Sequence, residues 1–313
     1  MTKNIKVQKS LVWTLKMVLF IFVLYFFIRQ ISQIEFNQFK SLEVRNPICF
    51  VVVVLLLPVN WGLELLKWQS ILKVNSIRFS VKELIYSLFS GVSTGIITPN
   101  RIGNFIGRMI FFKGKVRGQL ILGTLYSNFA QFLVTLLFGA VAFLYFFDFE
   151  FSSFKDSGKL LLISILFLSI LFYFLVPFIP LSKIRRLNRK QNILVLFQKQ
   201  ATKIFLPLIG LSSLRYFVFS IQFLLMLMTF GVEPSFMLYS GILTVYLVST
   251  LTPSLLFGKL IIRETVGLLI LGFVLENDSI IVASSLLLWL VNLGVPSLLG
   301  LFFILKKKTY VNA

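Results

Sequence analysis

Four ionisable side chains stand inside or against apolar runs of this 313-residue chain: Arg108, Arg215, Arg263 and Glu264. Charge in such surroundings is costly and is kept where it meets a partner or a ligand. Three guanidinium groups beside one carboxylate form a basic set, and the planar guanidinium matches phosphate bidentately. Arg101 and Lys259 are weaker members, because either can reach an interface along its stem. Neutral polar residues recur at helical spacing on the same segments. Ser212, Arg215 and Gln222 share one face, Thr124, Ser127, Asn128 and Gln131 a second, and Ser285 and Asn292 a third. Such stripes face one another or a wet cavity, either as part of a site or as hydrogen-bonding glue between helices.

Other chemistry is poorly supplied. The chain has no histidine and one cysteine, Cys49, so the usual ligands of zinc, copper or haem are missing and no intramolecular disulfide can form. There is no GxxxxGK phosphate loop and no paired acidic motif for magnesium. We therefore expect no enzyme, no metal and no cofactor. Glu64 or Glu264 can carry a proton, but a lone glutamate is a weak signal.

The elements that position these residues are apolar. Hydrophobic residues make up 58% of the chain and charged residues 13%, too few for the polar skin of a soluble domain. Leu11–Ile28, Ile48–Leu66, Leu120–Phe147, Leu160–Phe178, Ile204–Phe230 and Ile280–Leu305 each approach or exceed the roughly 20 residues of a membrane-crossing helix. Runs such as Phe50–Leu57 lack the alternation of barrel strands. The first run follows Lys3, Lys6 and Lys9 like a signal peptide, yet no small-residue cleavage site follows it, so a retained span is expected.

The net charge of +20 sits in short segments between apolar runs, which points to topology and anionic lipid rather than nucleic acid. Basic and acidic segments alternate. The N-terminus, Lys67–Lys82, Arg101–Arg117, Ser182–Lys203 and Lys306–Lys308 read as cytoplasmic. The mixed segment Arg29–Asn46 and the acidic segments around Asp148, Glu233 and Glu276 read as external. Both termini then lie in the cytoplasm of a multi-pass protein of the cytoplasmic (inner) membrane.

Two segments start and end on one side: Glu83–Phe112 inside and Ser235–Leu275 outside. Each is broken at Thr-Pro, Thr98-Pro99 and Thr252-Pro253, followed by a glycine, Gly103 or Gly258, and an arginine five residues later, Arg108 or Arg263. Arg101–Phe112 would be only about 18 Å long as helix, too short to span, so a re-entrant hairpin is expected; the second hairpin's depth stays open. Each half runs span, span, broken hairpin, span, with opposite orientation. The expected fold is an all-α single membrane domain with six full spans and two proline-broken hairpins, arranged as an inverted repeat of residues 1–150 and 151–313. Such repeats place a site at their interface, because broken backbone must face protein, water or ligand. The bland alternative is that Pro and Gly only kink these helices.

The stretch Lys67-Trp68-Gln69, then Ser80 to Phe112 with Thr98-Pro99, Arg101, Gly103 and Arg108, resembles the membrane domain of lysylphosphatidylglycerol synthases/flippases. Thr252-Pro253 to Gly258 and Arg263-Glu264 is similar to that family's later proline-to-Arg-Glu motif. The resemblance implies a stand-alone flippase-like protein that translocates an anionic or aminoacylated phospholipid, or a lipid-linked intermediate, without the aminoacyl-transferase domain. Two departures matter: Asn104 replaces an acidic residue, and Lys259 stands where a small or apolar residue is commoner. The expected binding residues are Thr98, Pro99, Arg101, Gly103, Arg108, Asn128, Arg215, Thr252, Pro253, Gly258, Arg263 and Glu264. Competing readings are a non-transporting partner of a lipid- or polysaccharide-synthesising enzyme, docked through Ser182–Lys203, and, more remotely, an intramembrane lipid transferase.

Overall fold

Long apolar runs with few breakers become long helices, and the computed structural model is helical with no strand among its described residues. These are residue 25, 42–96, 98, 101–112, 114–151, 156–175, 178, 191–252 and 258–306. The expected first span, Pro99, Pro253 and most of the basic segment before Gln191 lie outside them.

The helices, in chain order, are α1 (Pro47–Val74), α2 (Val81–Ile96), α3 (Gly103–Met109), α4 (Gly114–Phe151) and α5 (Asp156–Leu175). There follow α6 (Gln191–Thr229), α7 (Phe236–Leu251), α8 (Gly258–Leu271), α9 (Asp278–Trp289) and α10 (Val295–Leu305). A π-helical turn, Leu290–Gly294, joins the last two. Their ends follow local chemistry. Pro47 opens α1, where its missing N–H costs nothing. Ser80 and Glu83 form a reciprocal capping box before α2: the Glu83 carboxylate accepts from Ser80 N at 2.7 Å, and Glu83 N donates to Ser80 Oγ at 3.2 Å. Ser235 caps α7 and Asn277 caps α9.

Four segments are long and apolar enough to cross a membrane: Pro47–Val74, Val116–Phe147, Ala201–Thr229 and Asp278–Leu305. They are turned inside out relative to soluble helices. On α1, Val51, Leu55 and Val59 are exposed while Asn60, Glu64 and Lys67 are buried. On α5, Ile163, Phe167 and Leu168 are exposed, as are Leu298, Leu301 and Phe302 on α10. An apolar exterior around a charged interior suits a hydrocarbon surround.

Several helix limits differ from the sequence expectation, among them α4, which begins at Gly114 within the basic segment Arg101–Arg117 and runs past Asp148 to Phe151. Helix α1 continues past Leu66 to Val74, which makes Lys67 an interior residue and not a loop residue. Helix α6 begins at Gln191, inside the basic segment expected as a loop. Loss of hydrophobicity does not stop a helix; Lys, Gln and Trp continue one readily, whereas Gly, Pro and caps end it.

Helices α1 and α6 pack side by side as the central pair. Around them, α2 lies against α3, and α7 against α8. The outer contacts run crosswise: α2 packs on α10, and α7 packs on α4. Glycines set both approaches. Gly300 of α10 sits where a methyl would collide with the Phe89 carbonyl of α2, and Gly139 of α4 where one would collide with Leu247 of α7. The α2/α3 pair is antiparallel and closer still. Thr94 Oγ1 donates to Gly103 O at 2.6 Å, and Thr98 Oγ1 accepts from Gly103 N at 2.7 Å while donating to Thr94 O at 3.1 Å. A methyl at Gly103 or Gly107 would run into the Thr94 or Ser90 backbone.

Gly107→Ala should therefore destabilise the protein by about 1–3 kcal/mol, the usual range for overpacking. Gly210→Ala, where the added Cβ meets nothing within 4 Å, should leave the melting temperature unchanged or raise it. Thermal unfolding of the two purified variants in one detergent compares them directly.

Candidate anion-binding cavity

A cavity of about 570 Å³ opens between α1, α3, α4, α6 and the α7–α9 segment. Its size falls within the usual range for small-ligand sites. Its lining includes five cationic side chains, Lys67, Arg101, Arg108, Arg215 and Arg263, and one carboxylate, Glu64.

The arrangement starts on one helix face. Asn60, Glu64 and Lys67 follow at spacings of four and three, so they stack along the inner side of α1. Glu64 holds three cations. Its Oε1 accepts from Arg108 Nη2 at 2.8 Å, while Oε2 lies 3.4 Å from both Lys67 Nζ and Arg215 Nη1. Arg108 is fixed further: its Nε donates to Asn104 Oδ1 at 2.7 Å, and its guanidinium lies 5.1 Å from the Trp68 ring centroid. Trp68 is itself fixed by Nε1 donating to Ser87 Oγ at 2.8 Å. Arg215 donates from Nε to Asn60 Oδ1 at 3.0 Å and lies 5.7 Å from the Trp61 ring. The aromatic faces add attraction to cations shielded from water.

A chain of amides continues from this cluster. Asn60 Nδ2 donates to Asn292 Oδ1 at 3.2 Å, and Asn292 Nδ2 to Gln222 Oε1 at 3.0 Å. Gln222 Nε2 then donates to the Val53 carbonyl at 2.9 Å. Asn292 lies in the π-helical turn, a feature common at functional sites because it re-aims side chains. On the other side, Gln131 Oε1 is 3.4 Å from Lys67 Nζ, and its Nε2 donates to the Ser212 carbonyl at 3.2 Å.

Helix α8 contributes Arg263. Its Nε donates to Ser285 Oγ at 2.9 Å, its Nη2 to the Ser285 carbonyl, and the same Nη2 lies 3.4 Å from Glu264 Oε1. Glu264 is fully buried behind Arg263 and does not line the cavity. Arg101 has a backbone φ of 58°, a left-handed conformation that is strained for a residue with a Cβ. Strain of this kind persists where surrounding structure holds it, and here it stands at the cavity wall.

Of the residues expected from sequence, Arg101, Arg108, Asn128, Arg215 and Arg263 come together around this one space. Thr98 and Gly103 build the hairpin that carries the first two. Thr252 closes α7, its Oγ1 donating to Val248 O at 2.8 Å, as Thr98 does to the carbonyl four residues back. Gly258 is the first residue of α8. The central residue is Glu64, which sequence alone ranks as a weak proton carrier, and Lys67, Asn60, Asn104 and Tyr246 join the lining without having been selected. The spacing of 60, 64 and 67 on one helix face was the available signal.

No family model matches the chain, and no curated protein or solved structure is significantly similar to it.

Two variants probe the cluster. Glu64→Gln leaves Lys67, Arg108 and Arg215 without their shared carboxylate and should cost about 3–5 kcal/mol of stability, as breaking a buried ion pair does. Added phosphate should restore part of that loss in a thermal unfolding assay. Arg101→Gly removes a cation and the left-handed strain together. It should hold or raise the melting temperature by an amount equivalent to up to about 1 kcal/mol, while reducing the protein's stabilisation by phosphate.

Proposed function

We propose that this chain is a flippase-like protein of the cytoplasmic membrane that binds a phosphate-bearing lipid headgroup in the cavity and moves it between leaflets. The observation that carries the reading is the basic cavity itself: five cations facing one lining carboxylate inside a bundle with apolar outer faces. Guanidinium groups recognise phosphate bidentately, and a water-excluding surround strengthens each contact.

A lipid needs sideways access, and two features favour it. Leu125 of α4 lines the cavity and is exposed on the bundle surface. An apolar groove of about 240 Å³ runs along α3 and α4 between Phe105, Ile106, Met109, Ile110 and Ile121, with Arg117 in its lining. Phe105 belongs to both cavity and groove, so a headgroup in one can have its chain in the other.

The inverted-repeat reading draws support from the crosswise contacts. The first arm of each hairpin packs on the last span of the opposite half, α2 on α10 and α7 on α4, each across a close glycine. Short arms favour re-entrant hairpins: α3, with seven residues, is about 10 Å long, and α8, with 14, about 21 Å. Six spans, cytoplasmic termini and a single domain of two mirrored halves complete this reading on the charge pattern. The resemblance to lysylphosphatidylglycerol synthases/flippases points the same way, towards anionic or aminoacylated phospholipids or lipid-linked intermediates.

Purified protein in vesicles should raise the fraction of labelled anionic lipid that dithionite can reach from outside, relative to protein-free vesicles. Arg263→Gln should slow this by about tenfold, the factor that follows from losing about 1.4 kcal/mol of headgroup binding. No increase for any anionic lipid defeats the transport reading. Tight lipid binding without exchange would favour a non-transporting partner of a lipid-synthesising enzyme.

A further inference from the structure

We infer that the headgroup this cavity accepts carries two or three negative charges on adjacent phosphoryl groups, as a lipid diphosphate does, and not the single charge of a phosphodiester. The inference rests on the lipid-binding reading above and narrows its substrate class.

Lys67, Arg101, Arg108, Arg215 and Arg263 contribute five positive charges to the lining. Among the described residues, the only carboxylates in salt-bridge range of these five are Glu64 and Glu264. Five less two leaves three positive charges. Charges withdrawn from water are costly unless matched, so the cavity is completed by an anion of comparable charge. A phosphodiester brings one negative charge and leaves two cations unmatched. A phosphomonoester brings roughly −1.5 to −2 near neutral pH, and a second phosphoryl group supplies the rest.

The placement of the cations agrees with the count. They come from three separate units: Lys67 and Arg215 from the α1/α6 pair, Arg101 and Arg108 from the first hairpin, Arg263 from the second. Arg108 is the one cation at hydrogen-bonding distance from Glu64, at 2.8 Å; Lys67 and Arg215 share the other oxygen at 3.4 Å. Those two lean less on Glu64: Arg215 is bonded through Nε to Asn60 and Lys67 approaches Gln131, which leaves their remaining N–H donors for a second anion. Arg101 has no side-chain hydrogen bond or salt bridge among the described residues. Oxygens spread over two linked phosphoryl groups can meet donors arriving from several directions, where one group would satisfy fewer of them. Asn104 completes the picture. It accepts from Arg108 as a neutral amide, in a place where a carboxylate would cancel one more charge.

The test is a binding series on the full chain in lipid nanodiscs at fixed ionic strength. The probes are a long-chain phosphodiester, a long-chain alkyl monophosphate and the alkyl diphosphate of equal chain length. Affinity should rise along the series, with the diphosphate bound about tenfold or more tightly than the phosphodiester. Asn104→Asp adds one negative charge at nearly constant shape. It should reduce the diphosphate preference several-fold while the ligand-free melting temperature holds or rises. A phosphodiester bound as tightly as the diphosphate overturns the charge inference and leaves the anionic-lipid reading standing. Binding of none of the three overturns that reading itself. Inorganic diphosphate bound as tightly as the alkyl diphosphate would support the headgroup charge and overturn the lipid source.

Discussion

One carboxylate holds this structure's interior together. Glu64 stands among Lys67, Arg108 and Arg215, and without it three cations from α1, α3 and α6 would repel one another inside an apolar bundle. The contacts are unequal. Only Arg108 is bonded at hydrogen-bond length, and it is also the most supported, by Asn104 and by the Trp68 ring. Arg108 thus ties the first hairpin to the central helix pair, while Lys67 and Arg215 stay within reach of Glu64 without being committed to it. Such a cluster joins three helices through one carboxylate and leaves two of its cations farther from it than the third.

The hairpin that delivers Arg101 and Arg108 depends on hydroxyls and absent side chains. Thr94 and Thr98 satisfy backbone groups on either side of the turn, and Gly103 and Gly107 let α3 approach α2 at backbone distance. These hydroxyls pair backbone groups that the helix ends would otherwise leave without a partner. Arg101, two residues before α3, is in a left-handed conformation. A glycine would adopt it freely, so the strained arginine marks a position where the side chain matters more than backbone ease.

How much of this was legible in the sequence follows from which signals are local. Apolar runs announced the long helices, and the Thr-Pro-Gly-Arg spacing announced two breaks whose arginines meet at one cavity, whereas the caps at Ser80–Glu83 and Ser235 went unread. Glu64 and Lys67 were harder. Each is an ordinary residue in sequence, at the apparent edge of an apolar run, and acquires meaning only when α1 continues past Leu66 and turns both inward. The π-helical turn that aims Asn292 at Asn60 and Gln222 left no mark, because a single extra residue in a helical turn has no composition of its own. The crosswise packing of α2 on α10 and α7 on α4 likewise joins residues about two hundred and one hundred positions apart, beyond any local pattern; only Gly139 and Gly300 hint at it.

The two hairpin arginines occupy matching places in their motifs but differ in how they are held, and the difference has a mechanical meaning on the transport reading. Arg108 is anchored by a carboxylate from another helix, so an anion that competes for it loosens the tie between hairpin and core. Arg263 is anchored within its own neighbourhood, by Glu264 beside it and by Ser285 of α9. An anion there adds a contact without undoing one between distant elements. A ligand shifts a conformational equilibrium only through unequal interaction with its states. Of the two arginines, then, Arg108 is the one through which occupancy can alter shape, and Glu64 is the group that must give way when it does.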